Sequence, residues 1–375
     1  MKTALILGGG ISGLSAAWFL SRRGVRVTLL EKEDRLGGLI QTDSERGMLF
    51  ERGPRTFSEA RSPALLQLIR DLGLENELLF SKGGKRYLWH QGRLCSLGSF
   101  LPLLLFSLLK FPPKAAHEET IYEFACRRFN AKVAETLFDP LTLGIYAGDI
   151  RKLSVQACFP RRRLFPQKSR LFTLRGGMRR LIEELEKKLP TEIIRNCEVE
   201  ALQNHEVIAG GKTWRADQIY CALPAPAVNR LLGAEIPSQS ISAVQIGFQE
   251  KDLSKKGYGY LVPTQEKELL LGMVWDSSIF PEQCPGTRFT AMVRGEKPIP
   301  IALEALHRHL GIKKIPIYIS STTGSIPQFE VGHAQRIAQL EAKAHLKGLI
   351  LLGNYLSGVS VEDCIQRTIK ILITN

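Results

Sequence analysis

The sequence predicts an α/β fold that opens on a βαβ unit, and three observations carry that prediction. Thr3–Leu7 is a short apolar run that stops at Gly8. Residues 11–23 have the spacing of a buried helix, and residues 25–30 (VRVTLL) are rich in the β-branched side chains a second strand favours. Strand, glycine-rich turn, helix and strand in that order make a Rossmann-like unit. Further strands are expected at 86–89, 199–203, 218–222, 243–248, 269–274, 289–293, 315–319 and 349–352. Helices are expected at 63–72, 119–129, 178–188, 300–309, 332–345 and 360–373. No internal repeat or low-complexity tract interrupts the series, and the linkers are short. The domains are therefore expected to be interleaved rather than strung in a line.

At 375 residues the chain exceeds one simple core, so two or three domains are expected. An apolar fraction of 44% and a charged fraction of 23% are those of an ordinary globular protein. The net charge of +14 suits an anionic partner such as an acidic lipid surface or a small polycarboxylate. The cations stand in short clusters at Arg127-Arg128, Arg161-Arg162-Arg163 and Arg179-Arg180, and no recognition motif accompanies them, so nucleic acid is not expected as a partner. Seven scattered cysteines, with no C-x-x-C pair, fit a reducing compartment without a disulfide or zinc framework. His307 and His309 form the one close histidine pair and have no acidic or thiol neighbours, so no metal site is expected. Three adjacent glycines break the first apolar run and no cleavage motif ends it, which argues against an export signal.

Gly8-x-Gly10-x-x-Gly13 gives each glycine its own task. The first allows a tight turn, the second lets backbone approach a pyrophosphate, and the third lets helix and strand pack closely. Gly9, Ile11 and Ser12 complete the turn, and the helix N-terminus behind it offers N–H groups to phosphates. Glu31 ends the second strand, where a carboxylate takes ribose hydroxyls and disfavours the extra phosphate of NADP. NAD and FAD share this fingerprint. The next run, Glu31-Lys32-Glu33-Asp34-Arg35-Leu36-Gly37-Gly38, places a glycine pair where backbone would approach the dinucleotide again, with Arg35 beside its phosphates; a plain surface turn is the alternative. That run resembles the FAD-binding signature of amine-oxidase-like flavoproteins. So does the C-terminal stretch Gly353-Asn354-Tyr355 followed by Gly358-Val359-Ser360-Val361, where a loop and a helix start place N–H groups at a flavin ring. The resemblance implies FAD as cofactor and places Lys32, Gly53, Pro54, Val199, Ala222 and Trp275 at it as well. No second G-x-G-x-x-G follows a strand, so electrons are expected to come from an organic substrate, as in an oxidase or dehydrogenase.

More specific stretches lie between: 51–57 (ERGPRTF), 89–94 (WHQGRL), 139–149 (DPLTLGIYAGD), 157–160 (ACFP), 174–178 (LRGGM), 271–277 (LGMVWDS) and 280–282 (FPE). Over nearly the whole chain these look like the protoporphyrinogen oxidases and their coproporphyrinogen-oxidising relatives. The segment between Pro160 and Arg175 is shorter than in that family, so the resemblance speaks more for the cofactor site than for the shape of the substrate cavity. It implies stepwise oxidation of a porphyrinogen to a porphyrin in haem biosynthesis, with FAD taking the electrons and oxygen, or another acceptor, removing them. No catalytic side chain is singled out. Arg55 is the first choice to hold a propionate through its planar fork, its alternative being a structural pairing with Glu51 or the turn. Trp275 is expected to line the flavin or substrate cavity, or else to belong to the core.

The resemblance also implies a division into an FAD-binding domain (1–58, 172–228 and 346–375), an α+β substrate-binding domain (59–94 and 229–345) and a small helical domain (95–171). In the last of these, the thirteen uncharged residues 97–109 are too few to span a bilayer, and Pro102 and Lys110 favour insertion at a membrane surface over a core helix. The expected location is cytoplasmic, peripherally attached to the inner face of the cell membrane. The oligomeric state stays open, a homodimer included. Coproporphyrinogen oxidation, a related amine oxidase or desaturase, and a flavin-binding protein without activity remain as alternatives.

Overall fold

The computed structural model describes residues 1–100, 102, 117–159, 169–203, 205–251 and 256–374. Strand β1 (Thr3–Leu7), helix α1 (Ile11–Ser21) and strand β2 (Arg26–Leu30) form the expected unit, with Leu5 opposite Thr28 in parallel register. On its other edge β1 pairs with Gln218–Cys221, which pairs with Leu349–Leu351, and Glu192–Ile194 lies outside β2. All five strands are parallel. Parallel sheets need cover on both faces, and both faces have it. On one side α1, Arg179–Lys188 and Val361–Thr374 bury Leu14, Ala16, Leu181, Leu185 and Ile365. On the other a three-stranded antiparallel sheet (Val199–Gln203, Glu206–Ala209, Lys212–Trp214) and helices Ala225–Leu232 and His333–Leu346 close over Leu5, Leu7 and Ile219.

A second sheet of seven strands runs Tyr318–Pro327, Ser238–Phe248, Thr287–Val293, Leu270–Val274, Gly259–Leu261, Arg86–His90, Arg93–Ser96. Its core, around Val244, Ile246, Phe289 and Trp275, is covered by helix Pro298–Leu310. Helices Ile121–Arg128, Asp139–Tyr146 and Val155–Cys158 form a separate apolar cluster that also takes in Leu88 and Phe329. The first of them starts on a capping box in which Thr120 Oγ1 accepts the Glu123 N–H and the Glu123 carboxylate accepts the Thr120 N–H. The nucleotide-side unit and the seven-stranded sheet meet along a seam. There Phe50 stacks on Tyr318 with centroids 4.1 Å apart, and the buried Gln245 donates to the Glu51 carbonyl at 3.3 Å.

Most expected elements are present within a residue or two. The strand expected at 315–319 instead runs from Tyr318 to Pro327, because its ladder to Ser238–Phe248 continues through the polar run Ser320-Ser321-Thr322-Thr323 and beyond, while Ile315 stays exposed. Helix Pro63–Asp71, expected with the substrate-binding domain, buries Leu65, Leu68 and Ile69 in the core beside α1. The hairpin Thr42–Glu45/Met48–Glu51 and the small sheet of Phe57–Ser58, Leu171–Leu174 and Leu78–Phe80 had no expectation. Among the described residues no helix is long and apolar enough to cross a membrane. Most of the stretch 97–109, and all of 161–163, lie outside the described residues.

Candidate functional site

The glycine turn joins β1 to α1. Gly8 has φ of +99°, which a side chain disfavours. A Cβ on Gly13 would stand 1.9 Å from the Gly8 carbonyl oxygen, so helix and strand touch through backbone alone. Gly10 is different: a Cβ there would meet nothing within 4 Å. Gly10 is also the N-cap of α1, and the helix has neither a side-chain cap nor an acidic residue in its first turn. The N–H groups of Ile11, Ser12 and Gly13 therefore face outward at the positive end of the dipole, beside open space over Gly10.

Glu31 lies at the end of β2 with 8% of its surface exposed. Its Oε2 accepts the Gly9 N–H at 2.7 Å and its Oε1 the Glu33 N–H at 2.9 Å. Gly37 donates to the Gly9 carbonyl at 2.8 Å, so the second glycine pair closes directly onto the first turn. Gly37 and Gly38 have φ of +100° and +57°. Arg35 is exposed and donates to the Gly38 and Leu36 carbonyls; Lys32 is exposed and pairs with Glu33. Ala222 donates to the Leu7 carbonyl at 2.9 Å and lies against Gly8. Beyond it, Leu352 donates to the Cys221 carbonyl, Gly353 turns the chain with φ of +138°, and Gly358 packs on Asp363. Helix Val361–Thr374 then crosses α1, where Ser15 Oγ donates to Thr368 Oγ1 at 3.3 Å.

The fold thus gathers residues 8–13, 31–38, Ala222 and the 353–361 segment at the carboxyl ends of neighbouring parallel strands, where open α/β sheets bind ligands. The unfilled space over Gly10, the unspent N–H groups and the carboxylate on β2 fit a dinucleotide. Gly53 lies close by, a Cβ there being 2.0 Å from the Leu39 carbonyl, and Pro54 follows it half-buried. Val199 is buried in the antiparallel sheet with Leu30 and Cys197, and Cys197 N–H donates to the Glu31 carbonyl at 2.9 Å.

Arg55, with a side chain only 12% exposed, lies at the seam, and its partner is Asp276, Nη1 to Oδ1 3.5 Å. Glu51 is held elsewhere: Met178 N–H donates to Oε1 at 2.7 Å and the Thr42 hydroxyl to Oε2 at 2.8 Å. Burial pushes the Glu51 carboxyl up to about 7, against the pull of those donors and of Arg288 and Arg55. Trp275 is wholly buried, its ring 5.4 Å from Tyr87 and 6.2 Å from Tyr260. Sequence reasoning assigned no role to Asp276 or Thr290; the available signal was that Asp276 follows Trp275 within the 271–277 stretch. Two crevices of about 510 and 520 Å³ flank this region, one around Lys82, Arg86 and Arg170 and one around Arg35, Arg52 and Arg179, but neither is lined by Arg55 or the glycine turn.

Residues 11–294 match the family model of flavin-containing amine oxidoreductases. Human protoporphyrinogen oxidase is 30% identical over 459 aligned positions covering 97% of this chain and 96% of the relative. Those positions outnumber the 375 residues here, so the relative carries insertions that this chain lacks. Coproporphyrinogen III oxidase of Bacillus subtilis is 29% identical over 98% of this chain and 96% of the relative. Among solved structures, an Exiguobacterium protein provisionally assigned as a protoporphyrinogen oxidase superposes with a TM-score of 0.87 at 23% identity, covering 100% of this chain and 98% of that one, which establishes the shared fold.

Proposed function

The chain belongs to the flavin-containing amine oxidoreductase family, and within it we propose that it oxidises protoporphyrinogen IX to protoporphyrin IX. The observation that carries this reading is the likeness to a protoporphyrinogen oxidase along almost the whole chain. The cofactor is FAD. When bound it would supply a two-electron acceptor for the macrocycle, with oxygen or another acceptor as the final oxidant.

The first-turn N–H groups of Ile11, Ser12 and Gly13 hold the pyrophosphate and Glu31 the ribose. Gly53, Pro54, Ala222 and the segment from Gly353 through Gly358 and Val359 to Val361 border the ring. Arg55 takes a substrate propionate, and Trp275 backs the cavity wall from within the core. Two carboxylates, Asp276 and Glu51, lie beside Arg55, and each is held by hydrogen bonds within the protein, so the chain's task is to orient the macrocycle and keep water away. The uncharged stretch 97–109 and the net charge of +14 support peripheral contact with an anionic lipid surface on the cytoplasmic side.

A second reading, oxidation of coproporphyrinogen III, is favoured by the Bacillus relative of nearly equal identity. The two substrates differ in their number of propionates. Purified protein with its flavin spectrum recorded is given each porphyrinogen separately, and porphyrin fluorescence is followed. Faster oxidation of protoporphyrinogen supports the first reading, and the reverse order supports the second. A flavin-loaded protein that oxidises neither overturns both. Arg55→Ala is expected to raise KM with normal flavin content; loss of flavin would make Arg55 structural.

A further inference from the structure

Helix His333–Leu346 starts at a corner that joins two parts of the fold. On one side the Phe329 carbonyl accepts the Ser154 N–H at 2.7 Å and Val331 donates to the Lys152 carbonyl at 3.0 Å. Glu118 Oε2 accepts the Gly332 N–H at 2.9 Å, and its Oε1 accepts the Ser154 hydroxyl. These bonds tie the corner to the small helical cluster, and Gly332 turns the chain into the helix with φ of +82°. On the other side the helix shares a core with the turn after Leu349–Leu351, where Ile337, Leu340 and Ala344 are buried with Tyr355 and Leu356. His333 itself is 4% exposed. Its ring lies flat on Phe329, centroids 4.1 Å apart and planes at 17°, and Phe329 is in the cluster against which Val359 packs. The Leu356 and Tyr355 carbonyls face the imidazole as acceptors, and among the described residues no main-chain N–H donates to either. Burial holds the ring below the usual histidine range against their pull, so it is neutral near pH 7 and carries one N–H. Its buried Nε2 is without a partner in hydrogen-bond geometry, which packing alone would not ask for. A leucine would fill the same space and leave both carbonyls of the turn without a donor.

We propose that His333 is the positioning residue for the flavin-side turn, meeting the Leu356 and Tyr355 carbonyls from behind so that the N–H groups of Gly358 and Val359 face the flavin ring; this rests on the reading of residues 353–361 as the border of that ring. Phe329 and Glu118 make the corner a fixed post, and the imidazole transmits its position to the turn. Its loss loosens the grip on FAD and alters the hydrogen bonding that the ring receives, while the glycine turn at the phosphates is untouched.

The test compares wild type with His333→Leu, His333→Asn, Phe329→Leu and Val359→Asp in the full chain. Three quantities are read: the FAD dissociation constant by titration of apoprotein, the midpoint potential of the bound flavin, and the Tm of the apoprotein. His333→Leu is expected to weaken FAD binding about fivefold and to shift the midpoint potential. His333→Asn keeps an N–H donor and is expected to recover part of both effects. A lower apoprotein Tm in His333→Leu, with FAD affinity and potential as in wild type, makes the residue part of the core alone and overturns the proposal. Val359→Asp tests the turn itself, since a carboxylate beside the ring is expected to lower the midpoint potential. An unchanged potential and affinity in that variant overturns the reading of residues 353–361 and the role of His333 with it. A lowered potential there, beside an unaffected His333→Leu, overturns the positioning role alone. Should His333→Leu fail to fold, Phe329→Leu removes the ring on which the imidazole rests; it is expected to weaken FAD binding by a smaller factor, and unchanged affinity and potential there overturn the proposal.

Discussion

Gly13 and Gly8 meet so closely that a Cβ on Gly13 would lie 1.9 Å from the Gly8 carbonyl oxygen. The atom it would strike is backbone at a turn with φ of +99°, which has no slack to give. Gly13→Ala is therefore expected to displace α1 from β1 and to destabilise the protein by about 3 kcal/mol or more. Thermal unfolding of the flavin-free protein reads this directly, and a Tm unchanged from wild type would contradict the packing.

Gly10 is three residues away and predicts the opposite outcome. Nothing lies within 4 Å of where its Cβ would be, and its φ of −74° suits any residue. Gly10→Ala is expected to leave the Tm of the flavin-free protein nearly unchanged while weakening FAD binding by about tenfold or more, since the methyl takes the space a pyrophosphate needs. Flavin titration of refolded apoprotein separates the two effects. Normal affinity would mean that the phosphates lie elsewhere.

Glu362 reaches from the C-terminal helix to the start of helix Pro63–Asp71, accepting the N–H groups of Ala64 at 3.0 Å and Leu65 at 2.8 Å. That helix has no cap from its own N-cap residue, Ser62, so a distant carboxylate does the work. Glu362→Ala is expected to cost about 1–2 kcal/mol of stability, Glu362→Gln less. Urea midpoints give the order, with flavin content per folded molecule unchanged in both. Equal midpoints for wild type and Glu362→Ala would sink the capping role.

The difference between local and distant partners also decides what the sequence revealed. Gly8, Gly10, Gly13 and Glu31 act within one βαβ unit, and their spacing along the chain is their spacing in the fold, so the nucleotide cradle was legible. The Gly37-Gly38 pair was found for the same reason, though Gly37 closes onto Gly9 and Arg35 onto its own loop carbonyls. The hairpin Thr42–Glu51 turns at Arg46 and Gly47, with φ of +50° and +74°, a two-residue signal carried by one glycine inside a polar run. Strand Tyr318–Pro327 pairs along its length with Ser238–Phe248 and carries Ser or Thr at 320–323 and 325, so no alternation of apolar residues marked it. Arg55 stood out by residue type, but its partner Asp276 comes from another sheet, and nothing in local spacing pairs them. Glu362 is hidden in the same way, a first-turn acid of its own helix that serves a different one.

Glu51 makes stability depend on pH in a definite direction. In the folded protein burial holds its proton to about 7, whereas the free side chain releases it near 4.5. Between those values the folded state binds more protons than the unfolded one, so the contribution of Glu51 to stability falls as pH rises from 4.5 to 7 and stays at its low value above. The full difference is about 3 kcal/mol. Glu51→Gln removes the titration and keeps an oxygen for the Met178 N–H, while the Thr42 hydroxyl accepts from the new amide. The variant is therefore expected to gain on wild type between pH 5 and about 7 and to hold that gain at pH 8, from less stable at the acid end to equal or more stable at the alkaline end. Urea denaturation of both proteins at pH 5, 6, 7 and 8 isolates this term, since every other titrating group contributes alike to both. Parallel profiles would show that Glu51 gives up its proton in the folded protein as readily as in the unfolded chain, and the buried carboxyl would then have to be charged and matched by Arg288 and Arg55.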